Sequence, residues 1–173
     1  YGIVNPDEKD KALAVLLNLI KEDGYHLYTG VLGGRVIFHV LAENGEIDTA
    51  VRMLENPTRP SYMQWIDYGE TALCEGFGEG NWIDSRNHHF WGNISAFFME
   101  QICGIKVSAD TVKIEPFFPT NMNEASASFD SIYGRISASW KRENGRITYS
   151  LEYPQKAKEH IVISVNGADI KIK

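Results

Sequence analysis

The chain has 173 residues, of which 43% are hydrophobic and 23% are charged, so it can bury a core and is not intrinsically disordered. Its 23 acidic residues outnumber 17 basic ones, and the net charge of -6 argues against nucleic acid or an anionic membrane as a partner. The apolar runs are too short to span a membrane, and the length suits one ordinary domain or two small ones.

The first part of the chain shows helical periodicity. Apolar residues recur every three or four positions in four segments, at about 5–23, 34–43, 48–56 and 88–103. Pro6 suits the first turn of a helix, and Gly24 and Gly104 suit helix ends. The predicted buried side of the second segment consists of Val36, Ile37, Val40 and Leu41. Helices of this length with short and medium connections predict antiparallel hairpins.

The second part of the chain alternates apolar and polar residues, as strands do. The predicted strands are residues 111–115, 125–129, 134–142, 146–153, 161–165 and 170–173. Asn144-Gly145 predicts a tight hairpin, and Asn166-Gly167 predicts another. Several short antiparallel strands of this kind predict a small β-sandwich. We therefore divide the chain into a helical domain, residues 1–105, and a strand domain, residues 106–173.

The two cysteines, Cys74 and Cys103, are predicted to be buried thiols rather than a disulfide. Their sequence context does not have the Cys and His spacing of a metal site. The sequence also has no Asp-rich calcium loop and no phosphate-binding loop with its lysine. We therefore predict neither a metal nor a cofactor.

Residues 62–92 concentrate the chemistry in a Gly-rich connection between helices. Acidic residues there include Glu70, Glu75 and Glu79. Acids in a loop are usually only solvated, but here Trp65 and the pair Asn87-His88 accompany them. A sugar site needs this mixture, because acids transfer protons, rings cover the apolar sugar face, and amides bind hydroxyls. The stretch therefore predicts a carbohydrate site.

Four segments carry a resemblance to a known family. They read GYHLYTGVLG at 24–33, LAENG at 41–45, YGETALCE at 68–75 and SRNHHFWG at 85–92. In this order they resemble the end of the catalytic domain of bacterial α-L-rhamnosidases, glycoside hydrolase family 78. The resemblance continues through YGRI at 133–136 and so covers nearly the whole chain.

The resemblance implies an (α/α)6 barrel followed by a C-terminal β-sandwich, which agrees with the helices and strands predicted above. Residues 1–105 would then be the last hairpins of the barrel. The missing N-terminal part of the parent chain would supply the earlier hairpins and would cover apolar helix faces that otherwise favour self-association. The resemblance also favours a periplasmic or secreted enzyme.

The resemblance further implies hydrolysis of terminal α-L-rhamnosides with inversion, which needs one acid and one base. It places the general base on Glu75 and the general acid upstream of this chain. His88 would contact sugar hydroxyls. His26 and Thr29 would form part of the same rim, with hydrogen bonds between loop and core as their alternative role.

The sequence departs from the family pattern beside the base. The family has a tryptophan before it, where this chain has Cys74, and Gly76-Phe77 replaces an Arg-Trp pair. The pocket therefore has a different shape, and a sugar related to rhamnose is an alternative substrate. Glu70 is the second candidate for the base.

Two other functions are open from the sequence. A non-catalytic carbohydrate-binding module would bind sugar on the strands, and a structural or interaction domain would have no sugar site. Three of the four tryptophans lie in the helical part beside acids, which favours the enzyme over the binding module.

Overall fold

The structure is a computed structural model that describes residues 4–78 and 85–173. The helices are α1 (Lys9–Glu22), α2 (Gly30–Gly34), α3 (Ile37–Glu43), α4 (Ile47–Leu54), α5 (Tyr62–Asp67) and α6 (Ile94–Phe97). Short 3₁₀ turns lie at Pro6–Glu8, His89–Trp91 and Gln155–His160, and a π-helical turn at Phe98–Ile102 continues α6. The strands are β1 (Ile105–Val107), β2 (Val112–Ile114), β3 (Glu124–Ser131), β4 (Gly134–Glu143), β5 (Arg146–Glu152), β6 (Ile161–Ile163) and β7 (Asp169–Ile172).

The order of helices followed by strands confirms the predicted fold class. In the described part of the chain, no helix is long and apolar enough to cross a membrane. The last helical turn ends at Ile102, and β1 begins at Ile105. Gly104 lies between them with a φ of 79°, and a Cβ atom there would clash with the Pro116 nitrogen. The chain can therefore turn from helix to strand only at a residue without a side chain.

The second predicted helix is wrong in two respects. It begins at Ile37 rather than at Gly34, because Gly34 ends the preceding short helix α2 and packs against the ring of Trp91. Its buried face is also rotated, so that Val36 and Val40 are exposed. The buried residues are Ile37, Phe38, Leu41 and Ala42. The rotation follows from packing, since α3 lies against α4 and directs Phe38 onto Phe97 at a ring distance of 5.6 Å.

The structure also contains a helix that the sequence analysis placed in a connection. Helix α5 has six residues, and the Ser61 hydroxyl caps it by accepting a hydrogen bond from the Gln64 amide at 3.2 Å. Its buried residues are Gln64 and Trp65. A helix this short shows little periodicity, and Pro60 before it and Gly69 after it are residues typical of a connection.

The strands form two sheets, with the orders β1-β2-β6 and β3-β4-β5-β7. The pairs β2-β6 and β5-β7 are parallel, whereas the other pairs are antiparallel. The prediction of antiparallel pairing throughout is therefore wrong. The hairpin predicted at Asn166-Gly167 is wrong as well, because β6 and β7 belong to different sheets.

The other predicted hairpin is confirmed. Asn144 and Gly145 have φ values of 51° and 76°, and they join Glu143 of β4 directly to Arg146 of β5. Two consecutive positive φ values are typical of the type I′ turn, whose twist matches the flanking strands.

The helical and strand parts share one core. Trp140 and Tyr149 are buried side chains of the four-stranded sheet. The Trp140 indole donates to the Ile102 carbonyl at 3.0 Å, and the Tyr149 hydroxyl donates to the Cys103 carbonyl at 2.6 Å. At the surface, the Thr120 amide donates to Asp48 Oδ1 at 2.7 Å. The strand part is therefore fixed against the end of the helical part.

Both cysteines are free and buried, which confirms the prediction of two thiols. Burial raises the pKa of the Cys103 thiol to about 11.

Candidate active site

Two non-helical segments of the 62–92 stretch lie side by side. The His88 amide donates to the Leu73 carbonyl at 2.8 Å, and the Glu75 amide donates to the Ser85 carbonyl at 2.9 Å. The register places both Arg86 and Asn87 opposite Cys74, as in a β-bulge. This pairing brings the backbones that carry Glu75 and His88 onto neighbouring segments.

Indole groups hold the next two peptide carbonyls. Trp91 Nε1 donates to the Glu75 carbonyl at 3.0 Å, and Trp65 Nε1 donates to the Gly76 carbonyl at 3.1 Å. Both tryptophans are buried, with 5% and 3% of their surface exposed. The Glu75 side chain itself is exposed. The chain thus presents an exposed carboxylate on an anchored backbone.

The two indoles belong to an aromatic cluster formed by Tyr62, Trp65, Phe77 and Trp91. The rings of Trp65 and Phe77 stack at 4.5 Å and 10°, and Phe77 meets Trp91 at 5.0 Å. The Tyr62 hydroxyl donates to the Trp91 carbonyl at 2.9 Å. Burial raises the pKa of the Tyr62 hydroxyl well above its usual range, so it stays protonated as a donor. The cluster is therefore a fixed support behind Glu75.

Glu70 has a different environment from Glu75. Its side chain is only 14% exposed, and the Arg86 guanidinium donates from Nε to both of its carboxylate oxygens. Burial, followed by the charge of Glu70, raises the pKa of the neighbouring Cys74 thiol. Glu70 therefore forms an ion pair beside the site.

His88 has a buried ring nitrogen that lacks a partner. Its Nε2 atom makes no hydrogen bond within the described residues. The ring centroids of His88 and Phe90 lie 4.5 Å apart, with the two rings at 78° to each other. Because buried polar atoms almost always have partners in native proteins, this nitrogen needs a partner that the described residues do not supply.

His26 contacts a second loop, whereas Thr29 makes a contact within its own loop. His26 Nδ1 lies 2.5 Å from the Asp23 carbonyl, and Nε2 lies 2.7 Å from the Thr58 hydroxyl. The Thr29 hydroxyl donates to the Gly30 carbonyl at 3.3 Å. Both ring nitrogens of His26 are thus engaged by the protein itself.

The remaining predicted residues differ in exposure. Trp65 is enclosed by the aromatic cluster, so its ring supports the site from behind. Asn87 is exposed beside His88. Glu79, together with the nearby Trp82, lies outside the described residues.

A cleft adjoins His88 along the chain. It has a volume of about 420 Å³ and is lined by Val31, Leu32, Arg35, His89, Phe90 and Asn93. Asn93 Nδ2 donates to the Arg35 carbonyl at 2.6 Å and so fixes one wall. Among the described residues, no three His, Cys, Asp or Glu side chains converge as a metal site would require.

Sequence reasoning missed three features of this site. It did not predict the Arg86–Glu70 ion pair, the donor role of the two indoles, or the contribution of Tyr62. The available signal was the number of tryptophans beside the acids, which we interpreted as platforms for sugar. A buried indole N–H needs a hydrogen-bond acceptor, and here the carbonyls of Glu75 and Gly76 accept.

Comparisons with known proteins cover nearly the whole chain. Residues 1–102 match the family model of the bacterial alpha-L-rhamnosidase 6 hairpin glycosidase domain. Residues 110–171 match the model of the bacterial alpha-L-rhamnosidase C-terminal domain.

Curated relatives carry the same family description. An alpha-L-rhamnosidase of Formosa agariphila is 29% identical over 98% of this chain and 19% of its own length. An alpha-L-rhamnosidase of Streptomyces avermitilis is 29% identical over 95% of this chain and 17% of its own length. The chain therefore spans less than a fifth of these relatives.

Solved structures show the same fold. The alpha-L-rhamnosidase from Dictyoglumus thermophilum superposes with a TM-score of 0.82 at 27% identity, over 89% of this chain and 18% of that one. The Streptomyces avermitilis alpha-L-rhamnosidase complexed with L-rhamnose gives a TM-score of 0.72 at 31% identity, over 82% of this chain and 15% of that one.

Proposed function

Because the chain belongs to the bacterial alpha-L-rhamnosidase family, we propose that it is the C-terminal part of a glycoside hydrolase that cleaves terminal α-L-rhamnosides, or a related sugar, with inversion. The observation that carries the proposal is the exposed Glu75 carboxylate on an anchored backbone. The segment that carries Glu75 is hydrogen-bonded to the segment that carries His88. The proposed substrate is inferred from the relatives, and the structure of one relative was solved in complex with L-rhamnose.

Glu75 acts as the general base. Its carboxylate takes a proton from a water molecule, and the water oxygen forms a bond to the anomeric carbon as the bond to the leaving oxygen breaks. A general acid protonates that leaving oxygen and lies in the part of the parent enzyme upstream of this chain. Attack on the face opposite the leaving group inverts the anomeric configuration.

His88 binds the sugar. A hydroxyl of the substrate pairs with Nε2, which is the buried ring nitrogen without a partner in the described residues. The adjoining cleft offers the exposed ring of Phe90 to an apolar face of the sugar or of its leaving group. Asn87, exposed beside His88, is placed to reach a further hydroxyl.

The parent enzyme completes the barrel. Several large apolar side chains of the helices are exposed here, including Val15 at 55% and Leu19 at 51% on α1. Apolar faces of this kind are normally covered by other protein surface. We propose that the earlier hairpins cover them in the parent enzyme and that this chain alone self-associates.

A carbohydrate-binding module has less support. The one tryptophan of the strand part, Trp140, is buried at the junction and donates to Ile102, so it offers no face to a sugar.

The anomer released first tests the proposed reaction. The parent enzyme is incubated with an aryl α-L-rhamnoside in an NMR tube, and the first turnovers are recorded before mutarotation. An inverting enzyme releases β-L-rhamnose first. Release of the α anomer first would contradict inversion and the role of Glu75 as general base.

A further inference from the structure

We infer that Trp91 and Trp65 are positioning residues that act through Glu75, because their indole N–H groups hold the two peptide carbonyls at and after the base. The inference rests on the proposed function of Glu75. It assigns to the tryptophans a task other than contact with sugar.

Hydrogen bonds hold the peptide groups before and after the Cα atom of Glu75. Trp91 Nε1 donates to the carbonyl of Glu75 itself, and Trp65 Nε1 donates to the carbonyl of Gly76. On the other side, the Glu75 amide donates to the Ser85 carbonyl at 2.9 Å. With both peptide groups fixed, only the side-chain torsions of Glu75 are left to place the carboxylate.

The indoles are themselves held in place. Trp65 stacks on Phe77, and the Trp91 carbonyl accepts a hydrogen bond from the Tyr62 hydroxyl. A Cβ atom on Gly34 would lie 2.5 Å from the Trp91 ring, so the helical part packs directly against this indole. Rings that are so enclosed cannot stack on a substrate, and what a tryptophan supplies there beyond a phenylalanine is the N–H donor.

Such anchoring bears on the rate of the chemical step. A general base must keep its carboxylate within hydrogen-bond reach of the attacking water. A shift of about 1 Å in a reacting group can cost on the order of 10²-fold in rate. Substrate affinity depends on other contacts, such as those of His88, and should change little.

The test uses the parent enzyme with Trp91→Phe and Trp65→Phe, each of which keeps a ring and removes the donor. We expect kcat to fall about tenfold, which is more than the loss of one hydrogen bond usually costs and less than a misplaced base would cost. KM should stay within about twofold of the wild-type value. Trp140→Phe is the matched control, because it removes a buried indole bond of 3.0 Å to the Ile102 carbonyl, away from Glu75. If Trp140→Phe lowers kcat equally at equal folded fraction, the effect is general destabilisation and the inference is overturned.

A double variant separates this inference from the proposed function. Glu75→Gln alone tests whether Glu75 is the base. Trp91→Phe is then added to Glu75→Gln and assayed on an activated aryl glycoside. If Trp91 acts through Glu75, the double variant has the same kcat as Glu75→Gln, whereas losses that multiply would overturn the positioning role.

An isosteric replacement covers the case in which Trp91→Phe does not fold. Benzothienylalanine at position 91 keeps the shape of the bicyclic ring and exchanges the N–H for sulfur. We expect the same fall in kcat from this replacement. A folded enzyme with the wild-type kcat would show that the Trp91 donor does not position Glu75.

Discussion

The Arg86 guanidinium holds Glu70 through Nε, which lies 2.9 Å and 3.1 Å from the two carboxylate oxygens. Of the two candidate bases, Glu70 therefore has its charge balanced by a neighbouring cation. Both carboxylate oxygens of Glu70 are already engaged by the guanidinium, which leaves them less free to bind an attacking water. The exposed carboxylate of Glu75 sits on a backbone held by the Ser85 carbonyl and the Trp91 indole, which favours Glu75 as the base.

Replacing the two acids separately should distinguish them. In the parent enzyme, Glu75→Gln should lower kcat about 10²–10⁴-fold, because the attacking water loses its base. Glu70→Gln should lower kcat by less than about tenfold, since it removes an ion pair and leaves the base in place. Initial rates on an aryl α-L-rhamnoside measure both values, and a larger loss in Glu70→Gln would transfer the role to Glu70.

Two histidines offer a matched test of sugar binding. His88→Phe keeps an aromatic ring and removes the unpaired Nε2, so KM should rise up to about tenfold through the loss of one hydrogen bond to the substrate. His26→Phe removes the contacts to Asp23 and Thr58 and should lower the melting temperature with KM unchanged. Steady-state kinetics and thermal unfolding of the parent enzyme give both readouts. An unchanged KM in His88→Phe would exclude the contact.

The 173-residue chain alone should not hydrolyse glycosides, because an inverting enzyme needs a second carboxyl group about 6.5–9.5 Å from the base. It should also self-associate through the apolar face of α1, which Val15 and Leu19 expose. Light scattering after size exclusion measures the mass of the species. Leu19→Glu should shift the measured mass towards that of the monomer. Lys11→Glu on the same helix adds an acid without removing apolar surface and should leave the mass unchanged.

Two results would contradict these expectations. A monomeric wild-type chain would show that the exposed face of α1 needs no cover. Turnover that disappears in Glu75→Gln would show that the chain already contains both catalytic groups.

Gly104 provides a test of the junction between the two parts. Gly104→Ala should destabilise the chain by more than the roughly 1–2 kcal/mol that a positive φ alone costs an L-residue, because its Cβ would clash with Pro116. Gly69→Ala is the control, with a φ of 75° and open space around the added Cβ. Urea unfolding followed by tryptophan fluorescence compares the two. Equal losses would show that the junction relaxes around a methyl group.

The sequence predicted those turns and strands whose conformation is determined by residues close by in the chain. Asn144-Gly145 forms the expected hairpin because two positive φ values and the adjoining strands agree. Asn166-Gly167 has the same residue types, and Gly167 has a φ of 77°, yet the strands on either side pair elsewhere. Pairing with β2 and β5 decided the outcome there, and those partners are distant in sequence.

The candidate site shows the same division. The acids and His88 could be identified from the sequence, because residue type states what chemistry a side chain can perform. Which acid has a cation beside it depends on the pairing of residues 73–75 with 85–88, which the sequence did not indicate. The indole donors depend on burial of Trp65 and Trp91, and burial follows from the whole aromatic cluster.

The bonds from Trp140 and Tyr149 to the carbonyls of Ile102 and Cys103 have a consequence for how this architecture evolves. The last carbonyls of a helix have no partners within it, and here side chains of the following domain satisfy two of them. An exchange of the strand domain for an unrelated one by recombination would leave these carbonyls buried without donors, at a cost of about 1–3 kcal/mol each. We therefore expect the two domains to be inherited together, although their boundary is clear in the sequence.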